Sequence, residues 1–442
     1  MTVTAQAAGT DVWLRRFPEF LKESESAGDP HWLVELRQEA MARFASAGVP
    51  TTREEDWRGT NLSPVARTDW TPATCDGVGP LAKRVEQEAA LGGVGPLLVL
   101  VNGRFSAEMS DLSGLSEGVI LTGLAQALAE RPRDVRATME AAAEAGGHVL
   151  GDLNMAFLQD GLFLSLPAGK VISTPIRVVS IHSGGTTPTA IQPRLVVCAG
   201  EGSQATLVEI HAGGGGSPRL ANVVVDMVLH QGAVLAHVKL ENEEAGGTHI
   251  GLTRVRLDRD SNYDSLSIST GADLTRNDLL VLLAGQGAQC RLNGLYPVNG
   301  SRHVDNHTVI DHASPHTSST QLYKGILDDR GQGVFYGRVV VRPDAQKVVA
   351  RQTNNNLILS DGAQAQSTPQ LEIHADDVQC FHGSTIGQLD EEMIFYLRSR
   401  GIAGDRARQV LTVAFANAIL EQVPVTALRK VLARKLFPEA QL

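Results

Sequence analysis

Two short stretches of this 442-residue chain concentrate the side chains that could ligate metals or act as nucleophiles. The first is LEIHADDVQCFHGSTIG, Leu371 to Gly387, which holds Glu372, His374, Asp376, Asp377, Cys380 and His382. In an extended strand alternate side chains share a face. Cys380 and His382 then point the same way, with Cα atoms roughly 6.6 Å apart. That is too far for the contact a Cys–His nucleophile pair needs, but it suits two ligands of one shared site. Thiolate with imidazole fits soft or borderline metals and iron–sulfur centres. Two ligands do not close a coordination sphere, so a partner or a second subunit has to complete it. A buried structural cysteine beside a hydrogen-bonded histidine is the alternative, and the spacing leaves both open. The second stretch is SRHVDNHTVIDHASPHT, Ser301 to Thr317, with His303, Asp305, His307, Asp311, His312 and His316. Four histidines so close together look like a metal site, but their spacings match no zinc motif. Pro315 and the Ser/Asn content predict turns between strands, which scatters these histidines over loops.

Other motifs argue against catalysis. No G-x-x-x-x-G-K-[ST] occurs, so no P-loop hydrolyses ATP here. Gly213–Gly216 precedes Ser and Pro and predicts a loop. Gly114-Leu115-Ser116-Glu117-Gly118 matches G-x-S-x-G, but a nucleophile elbow needs a strand before it and a helix after it. Here a turn comes before and Val119-Ile120-Leu121 reads as a strand. A carbohydrate-cleaving enzyme would need paired carboxylates, for which Asp258, Asp260 and Asp264 with Arg256 are the candidates. They also read as ordinary turn acids, and 20 aromatic residues (4 Trp, 5 Tyr, 11 Phe) are few for a sugar-stacking groove.

These residues must be positioned by a sizeable fold. The chain carries 39 basic and 49 acidic residues, a net charge of −10 that is wrong for a bulk nucleic-acid binder. No apolar run approaches the roughly 18 residues of a membrane span; Pro96 to Val101 predicts only a buried strand. The start, MTVTAQAAGTDVW, has no basic segment followed by an apolar one, so the expected compartment is the cytoplasm. Cys75, Cys198, Cys290 and Cys380 lie far apart, which argues against a disulfide framework or a zinc ribbon.

Three zones follow from the patterning. Residues 1–150 read as mostly helical, with helices over Val12–Lys22, over a stripe of Trp32, Leu33, Leu36, Ala40 and Phe44 ended by Gly48 and Pro50, and over much of Arg133–Ala145. Residues 151–387 read as strands, among them Ile176–Ile181, Arg194–Cys198, Thr206–Ile210, Val223–Leu229, Leu235–Leu240, Gly251–Leu257, Leu279–Leu283 and Gly333–Val341. Turn-like triplets centred on 202, 232, 261 and 287 recur there at steps of 30, 29 and 26 residues. Two strands fit each step, as in stacked β-solenoid coils; a β-sandwich with irregular hairpins is the competing fold. Residues 388–442 return to helices, with Asp390 as a cap and Gly401 as a stop. From Asp405 onward six basic residues face three acidic ones, chiefly Arg429, Lys430, Arg434 and Lys435. They form either a docking face for an acidic partner or a solvated helix surface.

The segment PQLEIHADDVQCFHGSTIGQLDEEMIFYLRSRGI, Pro369 to Ile402, strongly resembles the C-terminal signature of the SufB/SufD family of iron–sulfur cluster assembly proteins. The resemblance extends through YKGILDDRGQGVFYGRVVV (Tyr323–Val341), QTNNNLILSDGA (Gln352–Ala363) and GVPTTREEDWRGTNL (Gly48–Leu62). Cys380, His382, Gly383, Ser384 and Thr385 match the D-type pattern; Phe381 fills a spacer that is often polar and Ser384 stands where Ala is common. The resemblance implies a right-handed parallel β-helix core (151–387) between N-terminal (1–150) and C-terminal (388–442) helical domains. It implies a cytoplasmic scaffold, not an enzyme, that pairs with SufB and binds the ATPase SufC through its C-terminal helices. Phe395, Arg398, Arg400, Arg429 and Lys430 would then meet SufC. His382 would face a SufB cysteine, with Cys380 nearby, and iron or a cluster would be held transiently at that interface. No flavin motif is present, so flavin is expected only in the whole complex. An independent homodimeric metal binder, formed by pairing of bare solenoid edges, is the other possibility.

Overall fold

The computed structural model describes residues 9–26, 28–74 and 81–437. Cys75 and most of the N-terminal stretch considered above lie outside them. The competition between sandwich and solenoid resolves in favour of the solenoid. From Arg194 onward the chain alternates between two long sheets, and each strand pairs in parallel with the strand two positions on. The result is a parallel β-helix of about eight turns. Val234 lies beside Gln204 and Asn262 beside Val234, steps of 30 and 28 residues. All eight expected strands form, some extended by several residues at one end or both. The run after Pro96 is the buried strand Leu97–Val101, which pairs with Arg177–Ile181 and extends one sheet into the first zone.

Parallel strands covered on both faces need apolar side chains in both directions. Arg219–Leu229 shows this pattern: it is buried at every position. Along these strands one alternate set points into the bore, as do Leu207, Leu235, Tyr263 and Leu292. The other set, Val208, Ile210, Val238 and Leu240, meets the C-terminal helices outside. Each such aliphatic side chain contributes roughly 1.5–3 kcal/mol on burial.

The weak sequence repeat has a structural cause. Gly202, Gly232, Asp260, Gly287, His316 and Lys347 all adopt left-handed backbone conformations, with φ between 54° and 76°. Each stacks on the next coil: the Gly202 N–H donates to Gln231 O, that of Gly232 to Arg259 O, and that of Asp260 to Gln286 O, each at 2.9 Å. The third position of the repeat is therefore Asp260 and not Ser261. Gly and Asp tolerate this conformation best, which left a faint Gly/Asp period in the sequence.

Helices cover both outer faces. Asp11–Ser26, His31–Ala47 and Pro132–Ala143 form as expected, and Gly48 (φ 77°) ends the second. The Gly48–Leu62 segment lies on the solenoid: Trp57 is buried and the Arg276 guanidinium stacks 3.6 Å from its ring centroid. Arg276 also pairs with Asp278 and Asp305. The C-terminal helices are Glu391–Ser399, Gly404–Leu420 and Thr426–Leu436. The Asp390 carboxylate accepts from the Glu392 and Met393 N–H groups, as its position predicted. Ala416, Ile419, Leu428 and Leu432 pack on the outer sheet face, and Lys324 Nζ donates to Phe415 O at 2.9 Å. Among the described residues no helix is long and apolar enough to cross a membrane.

Candidate functional site

The last coil is left open. Its strands are Gln364–Ile373 and Val378–Gly387, which among the described residues pair only with Gln332–Val341 and Val348–Ile358 respectively. The turn between them carries the exposed His374, Asp376 and Asp377. Glu372 pairs with Arg338 at 3.6 Å, and Asp377 with Lys347. The outer edge of Val378–Gly387 presents unpaired backbone groups, a template for another chain.

Cys380 and His382 stand on this edge strand, on one face as the alternation requires. Cys380 lies beside Ala350, His382 beside Gln352 and Ser384 beside Asn354. Ala350, Gln352 and Asn354 are buried bore residues. The Cys380–His382 face is therefore the bore face, with no further coil to close it. His382 and Ser384 are exposed, and Cys380 is half-buried with a free thiol. Burial pushes the Cys380 thiol pKa up. Directly beneath, buried amides form a ladder: Gln352 Nε2 donates to Gln321 Oε1 at 2.8 Å, and Gln321 Nε2 to Thr308 Oγ1 at 2.6 Å. Asn354, Asn356 and Tyr296 hydrogen-bond together at 2.7–2.9 Å. Gln352 Oε1 has no partner, and the register sets His382 next to that residue. The arrangement offers a thiol and an imidazole, both accessible, with room for donors from outside.

The surroundings are apolar and bare. Phe381 is 57% exposed, Ile386 53%, Met393 54% and Phe395 72%, on the last strand and the helix after it. Phe381 and Ile386 lie on opposite faces of the strand, and exposed apolar groups gathered at one end of the fold mark an interaction surface. Arg398 and Arg400 are exposed on the same helix, with Arg400 5.3 Å from the Tyr396 ring. Arg429 and Lys430 lie far along the chain from these, on the final helix, with Arg429 half-buried and Lys430 exposed.

The second histidine stretch differs from its sequence reading. Turns do flank it, but His303–His312 is one strand, so three of the four histidines sit in a sheet. They serve different faces. His303 contacts Thr60 Oγ1 at 3.1 Å, and His307 pairs with Asp305 at 3.0 Å and stacks on Tyr336. His312 faces the bore between Thr317 Oγ1 and Ser319 Oγ, where burial pushes its pKa down to about 4. His316 occupies a left-handed turn. They do not converge on a metal. The candidate sugar-cleaving acids are likewise occupied. Asp264 pairs with Arg291 at 3.0 Å and Asp260 with Arg259 at 3.1 Å. Asp258 contacts Arg256 at 3.2 Å and His230 at 3.0 Å, and its hydrogen bond and that of Cys198 raise His230 to about 10.

A polar group inside the bore escaped the sequence reading. Glu209, His211, His237, Lys239, Glu241, Glu243 and His249 are all buried bore residues. His211 Nε2 lies 2.5 Å from Glu209 Oε1, and His237 Nε2 2.9 Å from Glu209 Oε2. Burial pushes the Glu209 pKa up, but the two imidazoles outweigh it and hold the carboxylate well below the usual range. The residues lie on three strands and span 40 positions of sequence, so no short motif joins them. The available signal was periodic: E-x-H at 209–211 and K-x-E-x-E at 239–243 put charge at alternate positions of otherwise apolar strands.

Comparison with known proteins agrees with this architecture. Residues 180–415 match the family model described as SUF system FeS cluster assembly, SufBD core domain, and residues 19–178 match the SufBD protein N-terminal region. A SufBD family protein of Synechocystis is 31% identical over 405 residues, covering 90% of this chain and 89% of the relative. The iron–sulfur cluster assembly protein SufD of Escherichia coli is 29% identical, over 90% and 91% of the two chains. SufD of Bacillus subtilis is 24% identical, over 93% and 95%. The chain belongs to the SufBD family of iron–sulfur cluster assembly proteins and is SufD-like.

Proposed function

We propose that this chain is a non-enzymatic scaffold subunit that builds iron–sulfur clusters in the cytoplasm together with a SufB-type partner and a SufC-type ATPase. The carrying observation is the open last coil, where Cys380 and His382 face an unclosed bore beside exposed Phe381, Ile386 and Phe395. A SufB-type chain seated on this edge would cover the apolar patch and supply the missing ligands. Iron or a nascent cluster is the cargo: imidazole and thiolate suit it, and two ligands release it more readily than four. Flavin, where involved, belongs to the assembled complex. The ATPase would dock on the C-terminal helices, through Phe395, Arg398 and Arg400 on one and Arg429 and Lys430 on another. Nucleotide-driven movement there would reshape the adjoining last coil.

The test is complementation in cells that lack every other assembly route. Cys380→Ala and His382→Ala are each expected to abolish cluster maturation while the chain still co-purifies with both partners. Full maturation with both substitutions present would sink the ligand role. Anaerobic purification of the tagged chain separates the complex from the competing homodimer, which the unpaired edge strand also favours. Stoichiometric recovery of a SufB-like chain and a P-loop ATPase supports the complex. A lone dimer despite co-expression of the partners would refute it.

A further inference from the structure

His211 and Glu243, on neighbouring strands of one sheet, meet His249 of the other sheet inside the bore. Each offers one ligand atom, and the three atoms lie within 4.8 Å of one another. All three residues are at least nine-tenths buried. We propose that this trio is a resident binding site for a single divalent transition-metal ion of borderline softness, such as Fe2+ or Zn2+. The site is distinct from Cys380 and His382 and would stand whether or not those residues handle cargo.

Four observations carry it. Two imidazoles and a carboxylate form a donor set suited to such ions, with coordination positions left open. An ion about 2.1 Å from each donor holds them roughly 3–4 Å apart, so small rotamer adjustments close the site. Second, donor atoms are left over: His249 Nε2 and Glu243 Oε2 are buried without a hydrogen-bond partner. Glu241 Oε1 lies 3.7 Å from that His249 nitrogen. Buried polar atoms are rarely orphaned without a reason. Third, the supports are in place. Glu209 accepts from His211 at 2.5 Å, and Glu243 Oε1 lies 2.6 Å from His249 Nδ1. Carboxylates of this kind orient metal-ligating imidazoles. Fourth, there is room. Gly251 is the next bore-facing residue after His249, and a Cβ there would lie 3.2 Å from His249 Nε2.

The charge balance points the same way. Glu209, Glu241 and Glu243 place three carboxylates in the bore. Lys239, 2.9 Å from Glu241, and Arg219, whose guanidinium donates to the carbonyls of residues 215, 217, 244 and 245, oppose them. Three carboxylates against two cations leave one carboxylate to be matched by an imidazolium or by a bound ion, because an isolated buried charge costs several kcal/mol unless compensated. A cation supplies the compensation. The ligands lie within four residues of two surface turns that contain glycine, 215–218 and 244–246.

The experiment is anaerobic equilibrium dialysis against Co2+, a spectroscopic stand-in, using full-length protein with Cys380→Ser and His382→Ala so that the open end cannot contribute. The expected result is one tightly bound ion with visible ligand-field bands. Glu243→Gln and His249→Gln should each lose at least 100-fold in affinity. Gly251→Ala, which removes no ligand, should lose about 10-fold by filling the space. Unchanged affinity in His249→Gln, or no binding in the parent, would overturn the site. Should the ligand variants not fold, anomalous scattering from Co2+-soaked crystals of the parent decides. A peak among His211, Glu243 and His249 upholds the proposal; an empty bore, or ions only at the surface, refutes it.

Discussion

The bore around Glu209 and the last coil around His382 are the same piece of architecture with opposite fates. Both put polar side chains on the inward positions of parallel strands, one coil step after another. At Glu209 the next coil covers them, so each group must find a partner inside: His211, His237 and Tyr263 form a continuous chain of contacts. At His382 no coil follows, so the inward face becomes an outward one and its ligands stay free. The difference teaches that chemistry in a solenoid depends on where stacking stops. A Cys-x-His on an inner coil would be structure; on the terminal coil it is an offer to another molecule. Side chains alone do not separate the two cases.

Substitutions can break this comparison. Glu209→Ala removes the shared acceptor of two buried imidazoles. Breaking a buried network of this kind costs about 3–5 kcal/mol, so the denaturation midpoint should drop sharply in a urea titration. Ser384→Ala, the matched change on the open coil, should stay within about 0.5 kcal/mol of the parent. Equal effects at the two positions would mean that the last coil is not open in solution.

His312 sharpens the same contrast through pH. It is neutral in the folded bore, with a pKa pushed down to about 4 by burial, against 6.5 when exposed. Above pH 6.5 neither state binds the proton and His312 is without effect. Between pH 6.5 and 4 the unfolded chain takes up a proton that the folded chain refuses, so stability falls as pH falls. The shift corresponds to a loss of about 3 kcal/mol across that window. His312→Gln should flatten the fall, as measured by chemical denaturation at pH 7 and pH 4.5. His382→Gln, on the exposed coil, should leave it unchanged. A parallel slope in the His312 variant would remove His312 as its source.

The sequence exposed the fold through local features that survive without context. Apolar strands of even length, the Gly/Asp turn column and the Asp390 cap are each short-range, and each appeared where expected except that Asp260, not Ser261, holds the third turn. The pairing partner of each strand was not legible, because it depends on residues about 30 positions away. For the same reason the His303–His312 strand read as loop. Several of its polar residues find partners on other elements, Thr60, Tyr336 and Ser319. Cys380 and His382 stood out because both lie in one strand. His211, Glu243 and His249 did not, because three strands must assemble before they meet. Openness was invisible as well: nothing local distinguishes Val378–Gly387 from the strands inside the stack.

The smallest effect expected on folding is the most informative about association. Phe381 points away from the bore on the edge strand, with the Arg351 guanidinium 5.5 Å from its ring. It is already more than half exposed, so Phe381→Asp removes little buried area and should change stability by no more than about 0.5 kcal/mol. A charge at the centre of an apolar contact is nevertheless strongly disfavoured, because desolvating it there has no compensating partner. Binding of whatever covers the last coil should therefore weaken by 100-fold or more, as measured by analytical ultracentrifugation of the chain alone and with a SufB-type partner. Loss of both self-association and partner binding would mean that one surface serves both, so that the homodimer is a substitute for the complex. Loss of neither would place the interface elsewhere and leave Cys380 and His382 facing solvent.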